Sequence, residues 1–219
     1  MQTLENVQDN YLQISKKVEN ALHSAKSSEH YTPQNIIELS REVLGTIDLD
    51  PFSCEFANTR VKAERYFRVD GLDEDWLKVP LYQGIYNLKD ASTWKPASVF
   101  LNPPSKLYPL NAKGRRVEKS GAKTAWNKLM AEIELNHVSH AIVIAYSLEQ
   151  LQITQKGCKK AMADFPFCIA SERFDYVNQQ GEPQTNGSHS SAIIYVPNLI
   201  DNSHKFKELF SSVGKVLNV

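Results

Sequence analysis

The chain has 219 residues, and its 25 Lys and Arg balance 25 Asp and Glu, which excludes a uniformly basic nucleic-acid binder. With 42% hydrophobic and 23% charged residues, the length suits one domain with a substantial core, or one domain plus a short appendage. No apolar run reaches the ~18 residues of a membrane span and the first residues carry no signal-peptide core, so the expectation is a cytoplasmic protein without a membrane partner, monomeric by default. Cys54, Cys158 and Cys168 lack CxxC spacing and read as reduced packing thiols. The histidines have no metal-ligand spacing, so no metal is expected.

Residues 1–30 read as a polar arm or helix with one amphipathic stretch (Tyr11, Leu12, Ile14, Val18, Leu22), and 31–219 as the main domain. Thr32 is placed to cap a helix with Pro33 in its first turn, and Gly45 ends that helix. Ile47–Asp50 predicts a short strand closed by Pro51, and 58–67 a helix. Val99–Leu101 predicts a buried strand running into Asn102-Pro103-Pro104. Residues 105–123 read as a Gly- and Lys-rich loop, 124–136 as a helix with Trp126 on its core face, and 141–146 as a fully buried strand. Leu148–Gln155 predicts a helix. Cys168–Val177 and Ser191–Val196 read as strands around a polar loop, with a last helix near Phe206–Phe210. Strand–helix alternation followed by a hairpin-like end predicts an α/β fold, mainly parallel, with antiparallel C-terminal strands.

In such a sheet, ligands gather beyond the carboxyl ends of the strands, where Asp50-Pro51 and Asn102-Pro103-Pro104 fall. The two prolines remove N–H donors and stiffen the turn. The side-chain carbonyl of Asn102 and the backbone carbonyl of Pro103 are then available to accept both hydrogens of one planar NH2 group. A conjugated amino group is a poor nucleophile, and two such acceptors favour its pyramidal form most as a methyl group arrives, which stabilises the transition state.

Thr32-Pro33, Asp50-Pro51, Asp70-Gly71-Leu72 with Trp76, and Asn102-Pro103-Pro104, in that order, resemble the phage and prophage-type DNA adenine methyltransferases. Glu172-Arg173-Phe174 and Ser190–Tyr195 resemble that family's late strands. The resemblance covers about residues 31–197. It implies a Rossmann-like fold, S-adenosylmethionine as cofactor and DNA as partner, with the target base flipped into a pocket beside Asn102. Asn102, Pro103 and Pro104 would be the catalytic turn. Tyr31, Thr32, Pro33, Asp48, Asp50, Pro51, Ser53 and Asp70 would bind the cofactor, with Glu64 as the other candidate for the ribose hydroxyls.

Two features depart from the family pattern. No glycine follows Asp50-Pro51, although close backbone approach to a ligand usually calls for one. Ser105 stands where an aromatic residue commonly stacks on the base, leaving Tyr108, Trp126, Tyr146 or Phe174 to supply a ring. These departures keep a second expectation open, a degenerate DNA-binding module, and a third, transfer to RNA or to a glutamine amide. Lys106, Lys113, Arg115, Arg116, Lys119 and Lys123 follow the turn and are the candidate DNA contacts. Residues 1–100 carry 11 basic and 15 acidic groups (−4), and 101–219 carry 14 and 10 (+4).

Overall fold

The computed structural model describes residues 30–67, 71–78, 81–82, 85–86, 93–178, 180–184 and 189–219. Apart from His30, the expected N-terminal arm lies outside them. Helix α1 (Gln34–Leu44) leads into β1 (Leu49–Asp50), α2 (Glu55–Val61) and β2 (Arg65–Tyr66). A two-stranded pair, β3 (Leu81–Tyr82) and β4 (Ile85–Tyr86), precedes β5 (Ala97–Leu101). Then come β6 (Lys106–Leu107), β7 (Lys119–Ser120), α3 (Gly121–Glu134), β8 (Val138–Ala145) and α4 (Leu148–Thr154). The chain finishes with β9 (Phe167–Ala170), β10 (Ala192–Pro197), α5 (Ser203–Phe210) and β11 (Gly214–Leu217).

Seven strands form one sheet in the order β2-β1-β5-β8-β10-β9-β11. The strands from β2 to β8 are mutually parallel, while β10 runs antiparallel to both β8 and β9, and β11 antiparallel to β9. This mostly parallel α/β arrangement is consistent with a Rossmann-like fold, and its antiparallel part lies at the C-terminal side as the sequence predicts.

The central strands read as unbroken apolar runs because both faces are covered. Along β5 and β8, Val99, Leu101 and Val143 face Trp126 and Leu129 of α3. The alternate residues Phe100, Ile142 and Ile144 face Ile36, Ile37 and Val43 of α1 and Phe206 and Phe210 of α5. Trp126 is fully buried and donates to the Lys160 carbonyl at 2.7 Å, so it is a core residue.

Four local differences from the sequence reading have physical causes. Pro33, with φ −56° and ψ 145°, is extended and caps α1 itself, so Thr32 lies one residue too early to cap it and makes no cap bond. The helix expected over 58–67 is replaced by α2 and β2. Lys62 turns left-handed at φ 51°, and the Asn58 side chain bonds both the N–H and the carbonyl of Ala63. The loop at 105–123 is a hairpin of β6 and β7, tightened by a Leu110–Arg116 bridge. At its tip Asn111 Oδ1 accepts from the amides of Lys113 and Arg115. Finally, 171–177 is irregular rather than strand, and β11 takes the outer edge of β9 instead.

No helix among the described residues is long and apolar enough to cross a membrane.

Candidate functional site

From β1 the chain moves to β2 on one side and later returns to β5 on the other, which opens a crevice between the carboxyl ends of β1 and β5. Asp50 is the last residue of β1, and Asn102 follows the last residue of β5. Residues 30–33 tie these ends together. The His30 carbonyl accepts from Asn102 Nδ2 at 2.9 Å. Tyr31 exchanges two backbone hydrogen bonds with Val177, at 3.0 and 2.9 Å. The Tyr31 ring packs edge-on against Phe56 at 5.0 Å, and its hydroxyl lies 3.5 Å from Cys54 Sγ. The Thr32 carbonyl accepts from the Arg60 guanidinium at 3.3 Å.

A carbonyl can only accept, so the Asn102 atom facing His30 must be the NH2 group. The side-chain oxygen is thereby left as an acceptor. Among the described residues, nothing donates to it or to the Pro103 carbonyl. The turn itself is clamped from α3. Gly121 donates its N–H to the Ser105 carbonyl at 2.9 Å, and a Cβ on Gly121 would stand 1.6 Å from the Pro104 carbonyl oxygen. The same device operates at β1, where a Cβ on Gly71 would stand 1.9 Å from the Pro51 carbonyl oxygen. The close approaches at both strand ends therefore use glycines distant in sequence; these are contacts within the chain, and the departure at Phe52–Asn58, which has no glycine, stands.

Among the described residues, four buried side-chain atoms lack a hydrogen-bond partner: Thr32 Oγ1, Asp50 Oδ1, Ser53 Oγ and Arg60 Nε. Thr32 and Asp50 are each 3% exposed and Ser53 is 9% exposed. Leaving such groups unpaired costs about 1–3 kcal/mol each, which makes these atoms candidates for hydrogen bonds to a ligand. Burial pushes the Asp50 carboxyl up to about 7. The nearby Ser53 hydroxyl and Phe52 amide offset only part of that burial, and neither satisfies Oδ1. The set combines hydrogen-bond donors with a carboxyl poised to ionise, which fits the polar end of a ligand carrying both signs of charge.

A scan against protein-family models gave no match, and searches of curated proteins and of solved structures gave none either.

Aromatic rings adjoin Asn102. His30 stacks on Tyr146 at 4.4 Å and meets Tyr176 edge-on at 5.7 Å, and Phe174 packs against Tyr176 at 5.9 Å. Tyr146 directly follows β8, the strand next to β5. Of the four rings considered from sequence, Tyr146 and Phe174 fall in this cluster, whereas Trp126 is core and Tyr108 lies on the hairpin, bonded to Glu118.

Other candidates fall elsewhere. Asp48 is occupied in holding β1 to β5. Its carboxylate takes the Ser98 amide at 2.9 Å, Thr46 Oγ1 at 3.1 Å and Lys78 Nζ at 2.6 Å. Burial opposes its ionisation, but Lys78 and Ser98 outweigh it and hold the carboxyl below its ordinary value. Ser98 is the second residue of β5, three residues before its carboxyl end, so Asp48 does not join Asn102 in the crevice. Glu64 pairs with the same Lys78 at 3.1 Å, ahead of β2 rather than beyond its end. Asp70 lies outside the described residues.

Three of the six basic candidates are engaged internally: Lys106 with Glu118 at 2.8 Å, Arg116 with Asp73, and Lys123 with the Lys156 carbonyl. Lys113, Arg115 and Lys119 are exposed, with no ion pair among the described residues. His30, Arg60, Gly71 and Gly121 escaped the sequence reading as site residues. Only the two glycines carried a signal, as small residues beside Trp76 and at the start of α3.

Proposed function

We propose that the chain transfers a methyl group from S-adenosylmethionine to the exocyclic amino group of adenine in DNA. The observation that carries this reading is the oriented amide of Asn102. With Nδ2 committed to the His30 carbonyl, Oδ1 is fixed as an acceptor beside the unpaired carbonyl of Pro103. Two fixed acceptors suit the two hydrogens of an amino group, and they grip it harder as its nitrogen becomes pyramidal and positive. The close packing of Gly121 on the Pro104 carbonyl helps to fix where these acceptors sit.

When bound, S-adenosylmethionine supplies an electrophilic methyl group on a sulfonium. Thr32, Asp50 and Ser53 would hold its polar end, with Tyr31, Pro33 and Pro51 lining the seat. Lys113, Arg115 and Lys119 would contact phosphates, and Tyr146 with His30 offers the ring surface that Ser105 does not.

The test is incubation of the purified chain with methyl-labelled cofactor and DNA, followed by nucleoside analysis. N6-methyladenine is expected. Asn102→Ala should abolish labelling while cofactor binding and the far-ultraviolet dichroism persist. Unchanged labelling in that variant overturns the role of Asn102, and label found only in RNA or in peptide glutamine moves the substrate.

A further inference from the structure

The carbonyl that orients Asn102 is only as fixed as the backbone of His30, and the His30 ring is anchored from the far end of the chain. The Tyr31–Val177 and Val177–Pro183 bridges lay three segments side by side, with 176–177 in the middle. Gln184, whose N–H donates to the Tyr176 carbonyl at 2.6 Å, belongs to the outer segment. Two strand spacings of about 4.8 Å each separate its backbone from that of His30, so only two long side chains can meet across the gap. They do meet: Gln184 Oε1 lies 2.8 Å from His30 Nδ1. An amide oxygen only accepts, so His30 Nδ1 carries the hydrogen.

The rings against which His30 packs are themselves tied together. Tyr146 stacks on it at 4.4 Å and Tyr176 meets it edge-on at 5.7 Å. The buried Ser191 hydroxyl gives its hydrogen to the Tyr146 carbonyl at 3.0 Å, which makes the Tyr176 hydroxyl the donor in its 2.8 Å bond to Ser191 Oγ. Packing against these rings does not fix the ring direction of His30, whereas a hydrogen bond does. Among the described residues, Gln184 is the hydrogen-bond partner of the imidazole. We propose that Gln184 is a positioning residue: by bonding the imidazole it keeps the His30 carbonyl aligned on Asn102 Nδ2, and so keeps Asn102 Oδ1 turned as an acceptor. This rests on the reading of Asn102 given above.

The experiment measures methyl transfer by the full chain to DNA, with kcat, KM for DNA and Kd for S-adenosylmethionine determined separately. Gln184→Met keeps the length of the side chain and loses its strong acceptor. It should lower kcat by about 3- to 10-fold, the range for one neutral hydrogen bond, and leave KM and Kd unchanged. Gln184→Glu restores an acceptor and should return kcat to near wild type. In an Asn102→Asp background, where the bond to the His30 carbonyl is already lost, Gln184→Met should slow transfer no further. If Gln184→Met does not fold, Gln184→Asn, one methylene too short to reach, makes the same comparison. An unchanged kcat, an equal fall in both backgrounds, or a Gln184→Glu variant as slow as Gln184→Met overturns the positioning role while leaving the reading of Asn102 intact. A rise confined to KM assigns Gln184 to DNA contact and also overturns it. Wild-type protein that transfers no methyl group removes the reading of Asn102 itself, and the role of Gln184 with it.

Discussion

Asn102 and His30, 72 residues apart, are joined by a 2.9 Å hydrogen bond that determines which atom of the Asn102 amide remains an acceptor. The donor is a side chain and the acceptor is backbone, so the restraint depends on the path of the chain at His30 more than on its imidazole. Asn102→Asp tests it with almost no change of shape. A carboxylate cannot donate to the His30 carbonyl, and it would face that oxygen with like charge. Methyl transfer should fall by about 100-fold or more, comparable with removing one transition-state hydrogen bond, while cofactor affinity stays near wild type. Activity within a few-fold of wild type would show that the orientation is not used.

Asp50 should make both stability and ligand affinity depend on pH. Its carboxyl is raised from 3.8 to about 7 by burial, so the folded chain binds this proton more tightly than the unfolded chain does. Its contribution to stability is complete below about pH 4, is lost as pH rises to about 7, and is flat beyond. At 1.36 kcal/mol per unit the loss amounts to about 4 kcal/mol. Denaturant titrations from pH 4 to 8 should show this decline in the wild type and its absence in Asp50→Asn. A ligand with positive charge beside Asp50 needs the ionised form, so S-adenosylmethionine affinity should rise toward pH 7 in the wild type and stay level and weak in the variant.

Gly121 and Gly71 predict a packing effect localised to the two turns. A methyl group at Gly121 meets the Pro104 carbonyl oxygen at 1.6 Å, and at Gly71 it meets that of Pro51 at 1.9 Å. Backbone on both sides must move, at a cost of about 1–3 kcal/mol. Gly121→Ala should therefore lower transfer more than cofactor affinity, and Gly71→Ala the reverse. Gly114, with open space around its Cβ position but φ 68°, serves as a control in which only hairpin-tip strain changes. Thermal melts and separate measurement of kcat and cofactor Kd resolve the three.

The hairpin charges separate into two groups. Neutralising Lys113, Arg115 and Lys119 together should flatten the dependence of log Kd for DNA on log salt by up to about 3, near 0.9 per phosphate contact. Neutralising Lys106, Arg116 and Lys123 should change it less, because these groups already have partners within the chain. Equal slopes for both triple variants would argue against a phosphate-binding hairpin.

The alternation of strands and helices was legible in the sequence because apolar runs such as 141–145 are long and both faces of the sheet are covered. The two strand-end motifs were legible for a different reason, since prolines punctuate them. The hairpin at 105–123 was not, because its pairing rests on an Asn111 turn and backbone bridges rather than on apolar alternation. Asp48 looks equivalent to Asp50 in the sequence, yet two residues along the chain separate a structural ion pair from an unsatisfied carboxyl at the strand end. His30 and Arg60 contribute through a backbone carbonyl and a long side chain, neither of which leaves a periodic or motif signal.

The insertion of β10 between β8 and β9 sets an order of events. Strand β9 is made before β10, but it has no other route into the sheet, since its partners are β10 and β11. Tyr31 likewise waits 146 residues for Val177, and the stacking of His30 on Tyr146 waits for the end of β8. On the ribosome, the early half would thus emerge with the His30 carbonyl within reach of Asn102 but its ring without Tyr146 and Tyr31 without Val177. The complete set of contacts around residues 30–33 therefore belongs to a chain already synthesised past Val177.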